Sequence, residues 1–124
     1  MITKGYKQLV EEAEAVIETL SVEDAKNLHG DENVTFVDIR DVREVKREGK
    51  VAGALHAPRG MLEFWVDPDS PYHRDVFATG NKFVLYCASA WRSALAAKAL
   101  QEMGFGPVAH IGGGFTAWKE AEGP

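Results

Sequence analysis

At 124 residues the chain has the length of one domain, and its 45% hydrophobic content is enough for a single core. Fourteen Lys and Arg against nineteen Asp and Glu give a net charge of −5, with most of the acidic excess ahead of Val51, which excludes a general nucleic-acid or anionic-membrane binder. No apolar run approaches the roughly 18 residues of a membrane span, and Met1–Lys7 does not lead into the apolar stretch of a signal peptide, so the expected location is cytoplasmic and off the membrane. Cys87 is alone, which rules out an internal disulfide. His29, His56, His73 and His110 are scattered singly with no zinc spacing, so neither metal nor cofactor is expected.

In chain order, Leu9, Val10, Ala13, Val16, Ile17 and Leu20 recur at three- and four-residue intervals among glutamates and predict an amphipathic helix over about 6–20. Ser21 with Asp24 looks like the capped start of a short helix, Val22–Leu28. Val34–Ile39, β-branched and aromatic between the polar turn Gly30–Asn33 and the charged run Arg40–Lys50, predicts a buried strand, and a brief strand follows near Ala54–His56. Met61–Val66 and Tyr72–Ala78 look helical on either side of an Asp/Pro/Ser turn cluster. Phe83–Tyr86 is the second clear strand, the strong formers Arg92–Met103 a helix stopped by Gly104, and Pro107–Ile111 a third strand. Gly112–Gly114 is read as a tight turn, since no Lys-Ser/Thr follows to make a phosphate loop, and Phe115–Ala121 as a last helix. Strands alternating with helices predict a single α/β domain, a mostly parallel sheet with helices on both faces.

Open parallel sheets bind ligands beyond the carboxyl ends of their strands, and Cys87 falls at that end of Phe83–Tyr86. The loop Cys87-Ala88-Ser89-Ala90-Trp91-Arg92 then feeds a helix N-terminus, where unpaired amides and the helix dipole favour an anion. A thiolate, not a thiol, is the nucleophile, so this is where a lone cysteine would act. Arg92 adds a permanent charge and a planar donor fork, unless a carboxylate such as Asp38 takes it.

The segment Cys87–Ser93 resembles the active-site loop of the rhodanese family, commonly Cys-x-x-Gly-x-Arg-Ser. Asp38-Ile39-Arg40, Glu44, Gly49, Gly53-Ala54 and Pro58 are similar to that family's upstream signature, and Val108–Trp118 to its last strand and helix. Lys50 stands where the family usually has His, and Ala90 where the loop usually has Gly. Where that position calls for positive φ, Ala costs about 1 kcal/mol. The resemblance implies a rhodanese-like fold and a sulfurtransferase. Cys87 would take a sulfane sulfur from a donor such as thiosulfate as a persulfide and pass it to cyanide or a thiol, with a protein as a further possible donor or acceptor. Ala88, Ser89, Ala90, Trp91, Arg92 and Ser93 would bind the substrate. Asp38 and Arg40 would brace the loop, with Arg40 spaced to pair with Glu44. Arg59 and His56 are assigned packing or surface roles. Two rivals are a silent rhodanese-like module that only binds a partner, and a cysteine-dependent phosphatase or arsenate reductase. The latter's loop is Cys-x5-Arg, one residue longer than Cys87 to Arg92.

Overall fold

A computed structural model describes all 124 residues. Five parallel strands, β1 (Glu18–Leu20), β2 (Val34–Asp38), β3 (Leu55–His56), β4 (Lys82–Tyr86) and β5 (Val108–Ile111), form one sheet in the order β1-β5-β4-β2-β3. Six helices flank it: α1 (Tyr6–Glu14), α2 (Val22–Leu28), α3 (Val42–Glu48), α4 (Leu62–Val66), α5 (Trp91–Glu102) and α6 (Gly114–Glu120). Because side chains alternate along a strand, Phe83 and Leu85 of β4 face one layer while Val84 and Tyr86 face the other. The first layer is closed by Leu62 and Val66 of α4 and by Ala96, Ala97 and Leu100 of α5. The second is closed by Ala25 of α2 and by Phe115 and Trp118 of α6. Both faces of the central strands are therefore buried, which is why these strands read as continuous apolar runs.

Three expectations change. The first helix stops at Glu14, and Glu18–Leu20 is instead the edge strand β1, paired with β5 in the register Thr19–His110. Ile17 and Leu20 keep helical spacing yet are held by the core from an extended segment. The charged run after β2 contains α3, whose start is a capping box: the Asp41 carboxylate accepts from the Arg43 amide at 2.8 Å, and Glu44 accepts from the Asp41 amide. Between Tyr72 and Ala78 there is only a 3-10 turn, Asp75–Ala78. Ser21 does cap α2, accepting from the Asp24 amide at 3.1 Å, and Gly104 ends α5 with φ +82°.

The ends of β2 and β4 lie level, Asp38 opposite Tyr86, and the chain leaves both there. A buried ion pair locks that edge. Arg40 is 1% exposed; its Nε and Nη2 donate to the two Asp38 oxygens at 2.9 and 2.7 Å, and Nη2 also donates to the Gly49 carbonyl. Tyr86 donates its hydroxyl to Asp38 at 2.9 Å and accepts from the Val51 amide, while the Arg40 guanidinium lies 4.4 Å from the Phe115 ring centre. One charge pair thus ties β2, β4, the segment after α3 and α6 together beside Cys87.

Candidate active site

Cys87 follows β4 directly and is 1% exposed. Two of its polar contacts come from one residue in the first turn of α5: the Ser93 amide donates to Sγ at 3.4 Å, and the Ser93 hydroxyl lies 3.6 Å away. The loop between them is oriented by α6. The Phe115 amide donates to the Cys87 carbonyl at 2.8 Å and the Thr116 amide to the Ala88 carbonyl at 3.1 Å. Gly114 fits beneath, so close that a Cβ there would lie 2.5–2.7 Å from the carbonyl oxygens of Cys87, Ala88 and Ser89. Three consecutive carbonyls therefore face α6. In planar trans peptides the amides of Ala88, Ser89 and Ala90 must point the opposite way. Those amides, with the Trp91 and Arg92 amides at the start of α5, donate to no acceptor of the protein. The arrangement presents a run of free N–H groups just after the end of a strand, able to hold an anion or a polarised sulfur.

The side chains of the loop contribute less than expected. Ser89 makes no side-chain hydrogen bond. Trp91 is 53% exposed and packs against Tyr6 of α1, ring centres 5.0 Å apart and planes tilted by 50°. Ala90 has φ 177°, outside the left-handed region, so replacement of the usual Gly carries no left-handed penalty. Arg92 pairs with neither Asp38 nor the sulfur as its main partner: both its terminal nitrogens reach Glu44, at 2.7 and 2.9 Å. The hydrogen bond to Glu44 raises the Arg92 pKa, and the same bond holds the Glu44 carboxyl below its usual range. Glu44 is consequently not the partner of Arg40. His56 bonds to the Arg40 carbonyl and Arg59 to Glu63, so both stand outside the loop. Lys50 reaches only the Ala54 carbonyl, at 3.5 Å.

A cleft of about 540 Å³ opens beside the loop at Ala88, lined by Arg40, Glu44, Arg47, Phe115 and Lys119 among others. A second cavity of about 510 Å³, between Val66, Phe77 and Phe105, lies at the opposite ends of the strands and holds no nucleophile.

Sequence reasoning missed His110. It sits in β5, fully buried, with Nδ1 2.8 Å from the Ser93 hydroxyl and Nε2 2.9 Å from the Thr19 hydroxyl. Its one signal was a titratable residue in the middle of the apolar strand Val108-Ala109-His110-Ile111. Burial pushes the imidazole down to about 4, so it is neutral at pH 7. The unfolded chain binds this proton below about 6.5 and the native one only near 4, so the stabilisation present above pH 6.5 is lost as pH falls toward 4. The melting temperature of the wild type is expected to fall more steeply over that interval than that of His110→Gln. Parallel curves would refute this.

The sequence pattern of the rhodanese-like domain family matches residues 21–121. A sulfurtransferase of Allochromatium vinosum is 33% identical over 94 residues, spanning 76% of this chain and 79% of that protein. The polysulfide-sulfur transferase homodimer of Wolinella succinogenes is 31% identical, with a TM-score of 0.72 over 96% of this chain and 85% of that one. A protein of unknown function from Rhodopseudomonas palustris, described as a possible tyrosine phosphatase, is 55% identical, with a TM-score of 0.97 over 100% of this chain and 96% of that one. The match over most of the length, together with the Cys87 loop at the carboxyl end of β4, places the chain in the rhodanese-like domain family.

Proposed function

We propose that this chain is a sulfurtransferase that carries sulfane sulfur as a persulfide on Cys87. The observation that carries the reading is the row of unpartnered amides from Ala88 to Arg92, completed by the Ser93 amide on Sγ. With thiosulfate as donor, the Cys87 thiolate attacks the outer sulfur. A new S–S bond forms, the old one breaks, and sulfite leaves with its electron pair. The outer sulfur of the persulfide then carries the negative charge where the amides of Ala88–Ser93 converge, and hydrogen bonds to a charged acceptor contribute about 1.5–3 kcal/mol each. Cyanide or a thiolate attacks that outer sulfur in the second step, takes it, and returns Cys87 as thiolate. Kinetics of the ping-pong type follow from two half-reactions sharing one covalent intermediate.

Donor choice follows from charge. Ala88, Ser89, Ala90 and Trp91 are neutral, and Arg92 is engaged by Glu44, so the loop offers dipoles rather than free cations to a dianion. A less charged donor or a protein persulfide suits such a loop better than thiosulfate, and the name of the Wolinella relative adds polysulfide, itself a dianion, as a further donor class to test. Incubation with polysulfide or thiosulfate is expected to add one sulfur atom to the wild-type mass and none to Cys87→Ser. An unmodified wild type with both donors would overturn the reading in favour of a silent binding module.

The phosphatase description of the Rhodopseudomonas relative makes phosphate-ester hydrolysis the second reading. Against it, Cys87 to Arg92 spans four intervening residues rather than five, the Arg92 fork is taken by Glu44, and Sγ is nearly enclosed, suiting a terminal sulfur better than a tetrahedral oxyanion. Cys87-dependent hydrolysis of p-nitrophenyl phosphate would favour it.

A further inference from the structure

A continuous chain of side chains joins the buried sulfur to the edge of the sheet. Sγ of Cys87 lies 3.6 Å from the Ser93 hydroxyl, that hydroxyl 2.8 Å from Nδ1 of His110, and Nε2 of His110 2.9 Å from the hydroxyl of Thr19. Ser93 and His110 are fully buried, whereas Thr19, on the edge strand β1, is exposed. The links come from three separate parts of the chain, and the parallel pairing of Thr19 with His110 sets the outermost one.

Ser93 has a single hydroxyl hydrogen for three neighbours: Sγ, Nδ1 of His110 and the Ala90 carbonyl at 3.2 Å. A neutral imidazole likewise carries one ring hydrogen. With the thiol protonated, S–H donates to Ser93, Ser93 donates to Nδ1, and Nε2–H donates to Thr19. With the sulfur ionised, Ser93 must turn its hydrogen to Sγ, which requires Nδ1–H as donor to the hydroxyl and leaves Nε2 to accept from Thr19.

We propose that Ser93, His110 and Thr19 form a proton relay in which the tautomer of His110 follows the charge on the Cys87 sulfur. Ionisation breaks the S–H bond and leaves its electron pair on sulfur. The proton passes to Ser93, the Ser93 proton to Nδ1, the Nε2 proton to Thr19, and the Thr19 proton to water. One proton leaves, and His110 stays neutral in its other tautomer. Burial supports this by keeping a second charge off the ring. The relay rests on the reading of Cys87 as sulfur carrier and supplies an almost unexposed atom with a route for its proton. Ser93 and His110 are in this sense positioning residues.

Charged groups on the surrounding elements supply no link of the chain, although Arg92 also faces the Cys87 sulfur and favours its ionised form. On α1, Glu12 pairs with Lys4, and Glu11 and Glu14 are exposed; Glu18 of β1 pairs with Lys82. On α5, Arg92 pairs with Glu44 of α3 and Lys98 with Glu102, while Tyr86 of β4 bonds to Asp38 in the opposite layer.

The test uses the full chain labelled with ¹⁵N-histidine, with the His110 ring resonances identified by their loss in His110→Gln. Ring shifts are followed from about pH 6 to about pH 10, alongside the rate of Cys87 alkylation by iodoacetamide. In the wild type the Nε2–H form is expected to give way to Nδ1–H at the midpoint of alkylation. In Cys87→Ala the tautomer should not change. In Ser93→Ala it should not follow the thiol, and alkylation at pH 7 should slow about tenfold. A wild-type tautomer constant across the alkylation midpoint, or a switch that survives in Ser93→Ala or Cys87→Ala, overturns the relay. Failure to take up sulfur with the switch intact would instead sink the sulfurtransferase reading alone.

Discussion

Replacing Arg40 with methionine is expected to destabilise the fold by about 3–5 kcal/mol, the range for removing one partner of a buried ion pair. That is a large part of the 5–15 kcal/mol that typically holds a domain of this size, and it corresponds to a fall of roughly 10–20 °C in melting temperature. The cost arises on the carboxylate. Asp38 is completely buried, and without the guanidinium it keeps only the Tyr86 hydroxyl and the Arg40 amide as donors. Burial by itself would lower the Arg40 pKa, yet the net direction is upward because the hydrogen bond and attraction to Asp38 outweigh it, so the guanidinium stays charged. The double variant Arg40→Met with Asp38→Asn removes the stranded charge while keeping an acceptor for Tyr86. It should therefore be more stable than Arg40→Met alone in urea unfolding. If the second substitution instead adds to the first, the ion pair is not what Asp38 contributes.

The central strands are legible in the sequence because β2 and β4 are buried on both faces and so read as apolar runs bounded by polar turns. The placement of Cys87 follows from them, since a residue after a central parallel strand has one destination. Legibility fails where tertiary contacts replace periodicity. Nothing in Ala15–Ile17 marks the break after α1, because Ile17 serves an extended segment as well as it would serve a helix. No residue of α3 is buried, so only its capping box announces it. The spacing of Arg40 and Glu44 imitates a helical ion pair, but α3 begins at Val42, leaving Arg40 outside the helix and free to turn back onto Asp38. Glu44 is then available to Arg92, 48 residues away. The contact between His110 and Ser93 depends on which way β5 faces relative to α5, information that no local pattern carries.

Gly114→Ala is expected to slow sulfur transfer about 100-fold while leaving the chain folded. Gly114 has φ +59°, where a Cβ costs about 1 kcal/mol, a loss that the domain survives. The larger consequence is local. The added carbon would lie 2.5 Å from the Ser89 carbonyl oxygen, 2.6 Å from that of Cys87 and 2.7 Å from that of Ala88, all backbone atoms that no rotamer change relieves. The loop must move away from α6, carrying with it the amides proposed to hold the outer sulfur, and a misplacement of about 1 Å costs on the order of 100-fold in rate. Gly113→Ala is the matched control. It has φ +80° and its Cβ would lie 2.6 Å from the Ala117 side chain, so it strains the same turn without touching the loop. Both variants should melt below the wild type, and only Gly114→Ala should lose most of its sulfur-transfer rate. Equal rates in the two would mean that the carbonyls of Cys87, Ala88 and Ser89 are not held in place by their contact with α6, and that the loop keeps its shape by itself.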